Sequence, residues 1–301
     1  MNIISKLVRR VKSRLVLQYG RYNQKWLANY YYKHRFHRNI DWENPRGFNE
    51  KIKWMSFYSD TTIWSLCSDK YRVREYLFRK GYDHLLVKLY GVWENASEID
   101  FDVLPNSFVL KTNHGCGDVI VVNDKNNVDR DAIVKRIQKY LDTTYGRETA
   151  ETHYRRIKPC VIAEELLIND SNFSTSIVDY KFYCFSGKPV NCGVFYNRDP
   201  YTHQTTSAFF DMEWNFHPEW QRPDKSSKGS PLPRPKNFDY MKRLCKELTS
   251  EFPFVRLDLY EVCGKVYFGE FTFTPQGGYG GSLNDNLFVE YGDMIVLPPK
   301  I

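Results

Sequence analysis

The sequence predicts an α+β fold, in which a mainly helical N-terminal region precedes two strand-rich regions. Apolar residues recur at helical spacing before residue 105, whereas from Ser107 onward short runs of β-branched and aromatic residues predict strands. The clearest β-hairpin is FPFVRLDLYEVCGKVYFGEFTFTP at residues 252–275. With 301 residues, 42% of them apolar, the chain is long enough to bury a sizeable core.

The positive charge of the chain belongs to its N-terminal arm. The net charge is +7, and residues 1–40 contain ten Lys and Arg but no Asp or Glu. The other 261 residues contain 33 basic and 36 acidic side chains, so the body does not offer a nucleic acid the clustered cations that phosphate binding needs. Seven cysteines without a C-x-x-C pair disfavour a disulfide scaffold or a structural zinc site, and fit a reducing cytoplasm.

The first 20 residues have the pattern of a basic amphipathic helix. Apolar residues recur at helical spacing, and Lys and Arg fill much of the remaining surface: Ile3, Ile4, Leu7, Val8, Val11, Leu15 and Val16 are the apolar positions. Such a helix can lie on an anionic membrane, at the inner face in a cytoplasmic protein, but the pattern equally suits a helix packed on the body with its cations in water. The cations also interrupt any secretory signal, and no run reaches the ~18 apolar residues of a membrane span.

Composition divides the chain into four predicted regions. These are a basic arm at 1–40, a mainly helical domain at 41–105, and strand-rich subdomains at 106–168 and 169–301. Within them, helices are predicted at 69–80, 129–142 and 239–250, and hairpin turns at Ser186-Gly187 and Cys263-Gly264. Residues 221–236 contain four prolines and five Lys or Arg, which predicts a lid or a flap that faces an acceptor.

The last hairpin carries two carboxylates that alternation brings together. Arg256, Asp258 and Tyr260 fall on one face of the first strand, and Phe268, Glu270, Thr272 and Thr274 share a face of the return strand. Asp258 should lie opposite Glu270 to within about one residue of register. Carboxylates this close need a cation, and Mg²⁺ accepts such oxygen ligands together with phosphate oxygens. A solvated polar sheet face remains the alternative.

A glycine-containing loop follows the strand that ends at Lys111. Gly115 and Gly117 let backbone N–H groups converge on an anion, and His114 stands beside them. No G-x-x-x-x-G-K-[ST] occurs and no G-x-G-x-x-G follows a strand, which excludes a P-loop and disfavours a Rossmann unit. The loop is thus either a phosphate site or a simple hairpin turn.

A third polar group lies on the strands around residues 179–198. Asp179 and Lys181 share a strand face, and Arg198 closes the return strand. An acid suits ribose hydroxyls and the two cations suit phosphoryl oxygens. A cross-strand ion pair between Asp179 and Arg198 would explain the same residues.

Taken in order, these elements resemble the ATP-grasp fold, whose C-terminal signature is R-x-D, a hairpin, then E-x-N. Here it reads Arg256-Leu-Asp258 and Glu270-Phe-Thr272, with Thr in place of the usual Asn. From about Asn44 onward the chain is similar to the teichuronopeptide-biosynthesis (TupA-like) branch, in segments such as NPRGFNEKIKWMSFYSD, DKYRVREY and DYKFYCFSGKP. The resemblance implies two α+β subdomains that clasp ATP.

The resemblance also implies a role for each polar residue. Lys111 would contact the nucleotide phosphates, and the loop with His114, Gly115 and Gly117 would close over them. The adenine and ribose contacts would come from Glu164, Glu165, Leu167 and Asp179. Lys181 and Arg198 would face the transferred phosphoryl group, Arg256 would steady the acyl phosphate, and Mg²⁺ would bind Asp258, Glu270 and Thr272.

The function that follows is ATP-dependent ligation of a sugar-linked carboxylate, such as a uronic acid, to a small amine in surface polysaccharide synthesis. Two alternatives remain. A glycosyltransferase would use a D-x-D motif, and this pattern occurs at Asp100-Phe-Asp102 and Asp129-Arg-Asp131. A non-enzymatic membrane-bound scaffold would use the basic arm alone.

Overall fold

The computed structural model describes residues 3–199, 202, 204–222, 228–280 and 283–301, with side chains from Ser13 onward. Residues 223–227 of the predicted flap lie outside the described residues. The α-helices of the described chain are α1 (Ile3–Tyr22), α2 (Gln24–Phe36), α3 (Phe48–Tyr58), α4 (Thr62–Ser68), α5 (Val73–Arg79), α6 (Arg130–Leu141), α7 (Phe238–Thr249) and α8 (Leu287–Met294). The strands are β1 (Leu89–Trp93), β2 (Phe108–Thr112), β3 (Val119–Val122), β4 (Val161–Glu164), β5 (Asp179–Phe185), β6 (Lys188–Tyr196), β7 (Thr206–Phe210), β8 (Val255–Val262) and β9 (Lys265–Thr272).

The first sheet is antiparallel, with strand order β1-β4-β2-β3. Helix α6 covers one face, because Ile133, Ile137 and Leu141 are four residues apart and pack against buried apolar side chains of the sheet. Asp129 begins this helix, and its carboxylate accepts a hydrogen bond of 2.9 Å from the N–H of Ala132. The predicted helix at 129–142 is therefore confirmed.

The second sheet is also antiparallel, in the order β7-β6-β5-β8-β9. Alternation along the strands sends Phe182, Leu257 and Phe271 into the largest core, where α7 also packs. Phe48 and Trp64, from α3 and α4, are buried in the same core. The segment predicted as a mainly helical domain at 41–105 therefore shares its core with the second sheet.

Strand β1 also lies inside the segment predicted to be mainly helical. It pairs with β4, about 70 residues further on, so a division at residue 105 separates one strand from its own sheet. This pairing is non-local, and the local spacing of apolar residues carries no sign of it. Among the described residues, no helix combines the length and the apolar character that crossing a bilayer needs.

Both predicted hairpin turns are confirmed, and the hairpin of β8 and β9 contains a bulge. Asp258 pairs with Glu270 as expected, but the register shifts at the next residue, where Leu259 pairs with Phe268. The extra residue is Gly269, at which an added Cβ would lie 2.9 Å from the Asp258 carbonyl oxygen. Strict alternation was wrong for Phe268: the bulge turns this side chain into the core.

The two hairpin turns provide a matched test of backbone strain. Gly187 and Gly264 both have positive φ, of 83° and 71°. An added Cβ at Gly264 meets nothing within 4 Å, whereas at Gly187 it would lie 3.0 Å from the carbonyl oxygen of Lys246 at α7. Gly264→Ala should cost about 1 kcal/mol from its φ alone. Gly187→Ala should cost about 1–3 kcal/mol more, because its Cβ would also crowd the carbonyl oxygen of Lys246.

Urea unfolding monitored by circular dichroism measures the two free energies. Equal losses in the two variants would show that contact with α7 adds nothing at Gly187.

Candidate active site

The guanidinium of Arg256 joins three polar side chains on one face of the second sheet. Its Nε donates to Asp258 Oδ1 at 2.6 Å and its Nη2 to Asp258 Oδ2 at 2.7 Å. The same Nη2 lies 3.0 Å from Glu270 Oε1 and 2.9 Å from Thr272 Oγ1. Register explains the arrangement, since Arg256 pairs with Thr272 and Asp258 with Glu270 on adjacent strands. We call Arg256, Asp258, Glu270 and Thr272 the carboxylate cluster.

Strand β5 adds two further charges beside the cluster. Lys181 pairs with Asp258 in register, and its ammonium contacts that carboxylate. It also lies 3.7 Å from Asp179, which in turn lies 2.7 Å from a guanidinium nitrogen of Arg198. The sheet therefore brings together all the polar residues predicted on these strands. The Asp179–Arg198 ion pair expected as the structural alternative is present.

Glu270 is the more accessible of the two carboxylates. Its side chain is 39% exposed, whereas that of Asp258 is 1% exposed. Burial raises the pKa of Glu270, but nearby cations, Arg256 foremost, outweigh burial and bring this pKa to about 2. Burial likewise raises the pKa of Asp258, against the opposing effect of Arg256 and Lys181. Asp258 thus depends on two cations to stay ionised, while Glu270 is ionised and open to a ligand.

On the first sheet, Lys111 and Glu164 form an ion pair of 2.5 Å. Arg74 of α5 lies 3.3 Å from the same carboxylate and donates to the Val87 carbonyl at 2.7 Å. Glu164, predicted to contact the nucleotide, therefore also holds Lys111 in place. Glu165 is exposed, and its backbone N–H donates a hydrogen bond to the backbone carbonyl oxygen of Lys88. Leu167 is half-buried, and the segment 165–178 links the two sheets.

The glycine loop, residues 113–118, is fixed by buried polar contacts. Asn113 is fully buried, donates to Asp69 at 2.9 Å and accepts from the N–H of Cys160 at 2.8 Å. An added Cβ at Gly115 would lie 1.7 Å from the carboxylate of Asp118, which would have to move, and Gly117 has a φ of 80°. His114 was predicted beside the phosphates. Its ring is buried and bonds the Thr143 carbonyl at 2.8 Å, so it supports the loop from within.

Lys70 is a site residue that the sequence analysis missed. Its ammonium contacts the carbonyl oxygen of Gly115 in the glycine loop. Its charge also lowers the pKa of Glu270 in the carboxylate cluster. Burial is the main reason that the pKa of Cys116, at the tip of the loop, is raised. The charge of Glu270 raises this pKa further, and that of Arg256 opposes the shift. Charges of the glycine loop region and of the carboxylate cluster therefore act on one another.

Lys70 follows Asp69, in the segment DKYRVREY that the sequence analysis treated as a helix. Asp69 is buried and accepts hydrogen bonds from the N–H groups of Tyr71 and Arg72 as well as from Asn113. In sequence the available signal was an Asp-Lys pair just before a helical pattern, a position that suits a capping acid.

The carboxylate cluster fits the ligand preferences of Mg²⁺. This ion binds through one or two carboxylates and usually takes its remaining oxygens from water and phosphate. Glu270 offers an exposed carboxylate, Thr272 a neutral oxygen, and Asp258 lies directly opposite in register. Within the described ranges, no group of three or more His, Cys, Asp or Glu side chains could hold a metal by itself.

The D-x-D patterns have structural partners. Asp129 caps α6, Asp100 accepts the N–H of Asp102, and Asp102 pairs with Arg130 at 3.0 Å. These contacts are local and lie on the surface of the first sheet's helix and loop. They give Asp100, Asp102 and Asp129 structural roles, and the glycosyltransferase alternative stays a prediction.

A four-stranded and a five-stranded antiparallel sheet, with the glycine loop on one and the carboxylate cluster on the other, define an ATP-grasp protein. The sequence model of the TupA-like ATPgrasp family matches residues 50–296, and the chain belongs to this family. The family and the fold predicted from the sequence are thereby confirmed. The arm at 1–40 lies outside the match.

Several solved ATP-grasp structures are similar to the chain. D-alanine–D-alanine ligase from Bacillus anthracis, complexed with ATP, is 14% identical over 76% of this chain and 63% of its own length, with a TM-score of 0.42. The Helicobacter pylori D-alanine–D-alanine ligase is 13% identical over 84% and 68%, with a TM-score of 0.45. L-amino acid ligase from Bacillus licheniformis is 13% identical over 72% and 43%, with a TM-score of 0.44. The chain thus spans less than two thirds of the B. anthracis enzyme, and no curated protein matches it in sequence.

The segment that follows β9 is anchored by a buried lysine. The Lys53 ammonium lies 3.2 Å and 3.1 Å from the carbonyl oxygens of Thr149 and Ala150, and 4.1 Å from the ring centroid of Tyr279. Beside it, Thr274 donates to buried Glu151 at 2.5 Å. Burial lowers the pKa of Lys53 to about 7, although Glu151 opposes the shift.

This lysine should make the stability of the protein depend on pH. Its pKa is lower in the folded state than in the unfolded state, so the unfolded chain binds more protons between about pH 7 and 10. The free energy of unfolding of the wild type, relative to Lys53→Met, should therefore rise with pH across that window. Urea unfolding of both proteins at pH 6.5 and pH 9.5 measures the difference. A difference that does not change with pH would contradict the assignment.

Proposed function

We propose that the chain is an ATP-dependent carboxylate–amine ligase that works through an acyl phosphate. The observation that carries the proposal is the pair of facing surfaces: a cationic glycine loop on one sheet and a cation-bridged carboxylate cluster on the other. Lys111 and Lys70 belong to the first surface, and Arg256 lies at the centre of the second. Triphosphate, metal and carboxylate can meet between them. Membership of the TupA-like ATPgrasp family supports the same chemistry.

The proposed reaction has two steps. The substrate carboxylate attacks the γ-phosphorus of ATP, which forms an acyl phosphate and releases ADP. The amine then attacks the acyl carbon, loses a proton, and phosphate leaves. A carboxylate is otherwise a poor acyl donor because its oxygen is a poor leaving group. The protein contributes position and charge rather than a nucleophile.

Each charged side chain then has a role. Lys111, just before the glycine loop, and Lys70, which contacts the loop at Gly115, hold phosphate oxygens, and buried His114 keeps the loop in shape. Lys181 and Arg198 face the transferred phosphoryl group. Arg256 donates to the oxygens that carry negative charge as the acyl phosphate forms and breaks down. Mg²⁺, held by Asp258, Glu270 and Thr272, would neutralise the charge that builds up between phosphates.

The proposed substrates are a sugar-linked carboxylate of the uronic acid type and a small amine, used in the synthesis of a surface polysaccharide. This assignment rests on the resemblance to the teichuronopeptide branch of the family. The flap at 221–236, which contains five Lys and Arg, would suit an anionic acceptor.

Neutralising the carboxylate cluster should abolish the reaction. Asp258→Asn and Glu270→Gln should each lower the rate of ADP formation by about 10²–10³-fold, since each removes charge that holds the metal and triphosphate. The assay measures ADP and phosphate released from ATP in the presence of uronic acids paired with amino acids and amino alcohols. Glu290→Gln, an exposed acid on α8, is the matched control and should keep full activity. Unchanged turnover in Asp258→Asn, or release of nucleoside diphosphate from a nucleotide sugar instead, would refute the proposal.

Lys70 provides a second test from the opposite surface. Lys70→Met should raise the KM for ATP about tenfold or more, because an ammonium that faces phosphate is lost. Lys135→Met removes an exposed lysine from α6 and should leave KM unchanged. If both variants bind ATP like the wild type, Lys70 serves only to hold the loop.

A further inference from the structure

Helices α1 and α2 present a row of exposed apolar and aromatic side chains. On α1, Leu15, Tyr19 and Tyr22 are spaced i, i+4 and i+7, so they share one side of the helix, and they are 60%, 51% and 89% exposed. On α2, Trp26 and Tyr30 are four residues apart and half-buried. We call these five residues the aromatic face.

The rings of the two helices form one continuous surface. Tyr19 and Trp26 meet edge to face with centroids 4.7 Å apart, and Trp26 stacks on Tyr30 at 5.3 Å. The helices approach closely because Gly20 has no side chain: an added Cβ there would lie 2.8 Å from Leu27. The rings of the aromatic face therefore pack against one another and form one surface.

Cations predominate on these two helices, although Arg21 lies 3.9 Å from Glu148 of the body. Residues 1–40 contain no acid, and Arg14, Arg21, Lys25 and Lys33 are exposed on the two helices. The sequence of α1 adds further cations at positions 6, 9, 10 and 12. Tyr and Trp rings with apolar neighbours favour the headgroup region of a bilayer, and cations favour anionic lipids there. Apolar side chains and cations on one surface are complementary to that environment.

The two helices are fixed to the body of the protein next to the proposed site. Tyr31 packs on Tyr279 with ring centroids 5.6 Å apart, and Arg35 forms a 2.7 Å ion pair with Asp285. Tyr279 lies in the segment that follows β9, the strand that carries Glu270 and Thr272. A partner surface that binds α1 and α2 would therefore lie close to the segment that continues strand β9 of the proposed site.

We propose that the aromatic face docks on the interface of an anionic lipid bilayer. Leu15, Tyr19 and Tyr22 enter the headgroup region while the surrounding cations contact anionic headgroups. A single-stranded nucleic acid would need rings that are free to stack, but Trp26 and Tyr30 already stack on each other. The interaction does not depend on the ligase chemistry, and it can be measured without ATP or an acceptor.

The test is co-sedimentation of the full chain with vesicles. Vesicles of phosphatidylcholine with about 30% phosphatidylglycerol should bind the protein, and binding should weaken in high salt or when phosphatidylglycerol is omitted. Leu15→Asn combined with Tyr22→Asn should weaken binding about tenfold or more, since two apolar contacts are lost. Phe78→Asn combined with Val103→Asn changes two side chains of similar exposure, 71% and 70%, and should bind like the wild type.

Tyr22→Trp provides a conservative variant that should bind at least as well as the wild type, which separates loss of docking from loss of folding. No sedimentation with anionic vesicles, or equal binding by the Leu15 and Tyr22 double variant, would overturn the proposal. Tighter binding to a single-stranded RNA of 20 nucleotides than to the vesicles would also overturn it, in favour of a nucleic-acid partner.

Discussion

Arg256 is the residue on which the second sheet's polar face depends. Two carboxylates on adjacent strands would repel each other and destabilise the pairing of β8 with β9 without a cation between them. The planar guanidinium supplies that cation and satisfies both oxygens of Asp258, which is almost fully buried. Desolvation works against the charge of Arg256, but the neighbouring carboxylates raise its pKa above the ordinary value. The same arrangement fixes the acidic oxygens of the proposed metal site within the protein itself.

The N-terminal helices connect this face to the glycine loop. Asp69 receives hydrogen bonds from its own turn and from Asn113, which also bonds to the start of β4 through Cys160. Lys70, the next residue, reaches the loop itself. Because α3 and α4 share the core of the second sheet, this contact links a buried core to a loop of the first sheet. The helical region therefore helps to fix the position of the first sheet's loop relative to the second sheet.

Local patterns in the sequence predict much of the fold. Alternation along 252–275 predicts that Asp258 opposes Glu270 to within about one residue. The turn at Cys263-Gly264 alone would place Asp258 opposite Gly269, and the bulge supplies the remaining shift of one residue. Helix α6 follows from its apolar spacing and its Asp129 cap. The roles of these residues in binding nucleotide and metal remain predictions, because they depend on a ligand and not on the pattern alone.

Other features arise from long-range contacts, and a local pattern does not contain them. Strand β1 pairs with β4 across a large sequence separation, and Lys70 meets Gly115 only after the chain has folded. His114 stands next to the glycines in sequence, but the fold buries its ring against Thr143. The bulge at Gly269 is visible in sequence only as a glycine within a strand.

That bulge has a consequence for how strand β9 can vary. The extra residue interrupts the alternation of side chains along the strand. Glu270 and Thr272, after the bulge, face the polar surface, whereas Phe268, before it, faces the core. Deleting Gly269 would remove the bulge, yet Glu270 would still pair with Asp258 and Phe268 with Leu259, so the side chains on both sides would keep their faces. A residue added or removed elsewhere in β9 would instead shift the pairing by one position and exchange side chains between the core and the polar face, so a change of length in this strand should be tolerated at the bulge and not beside it.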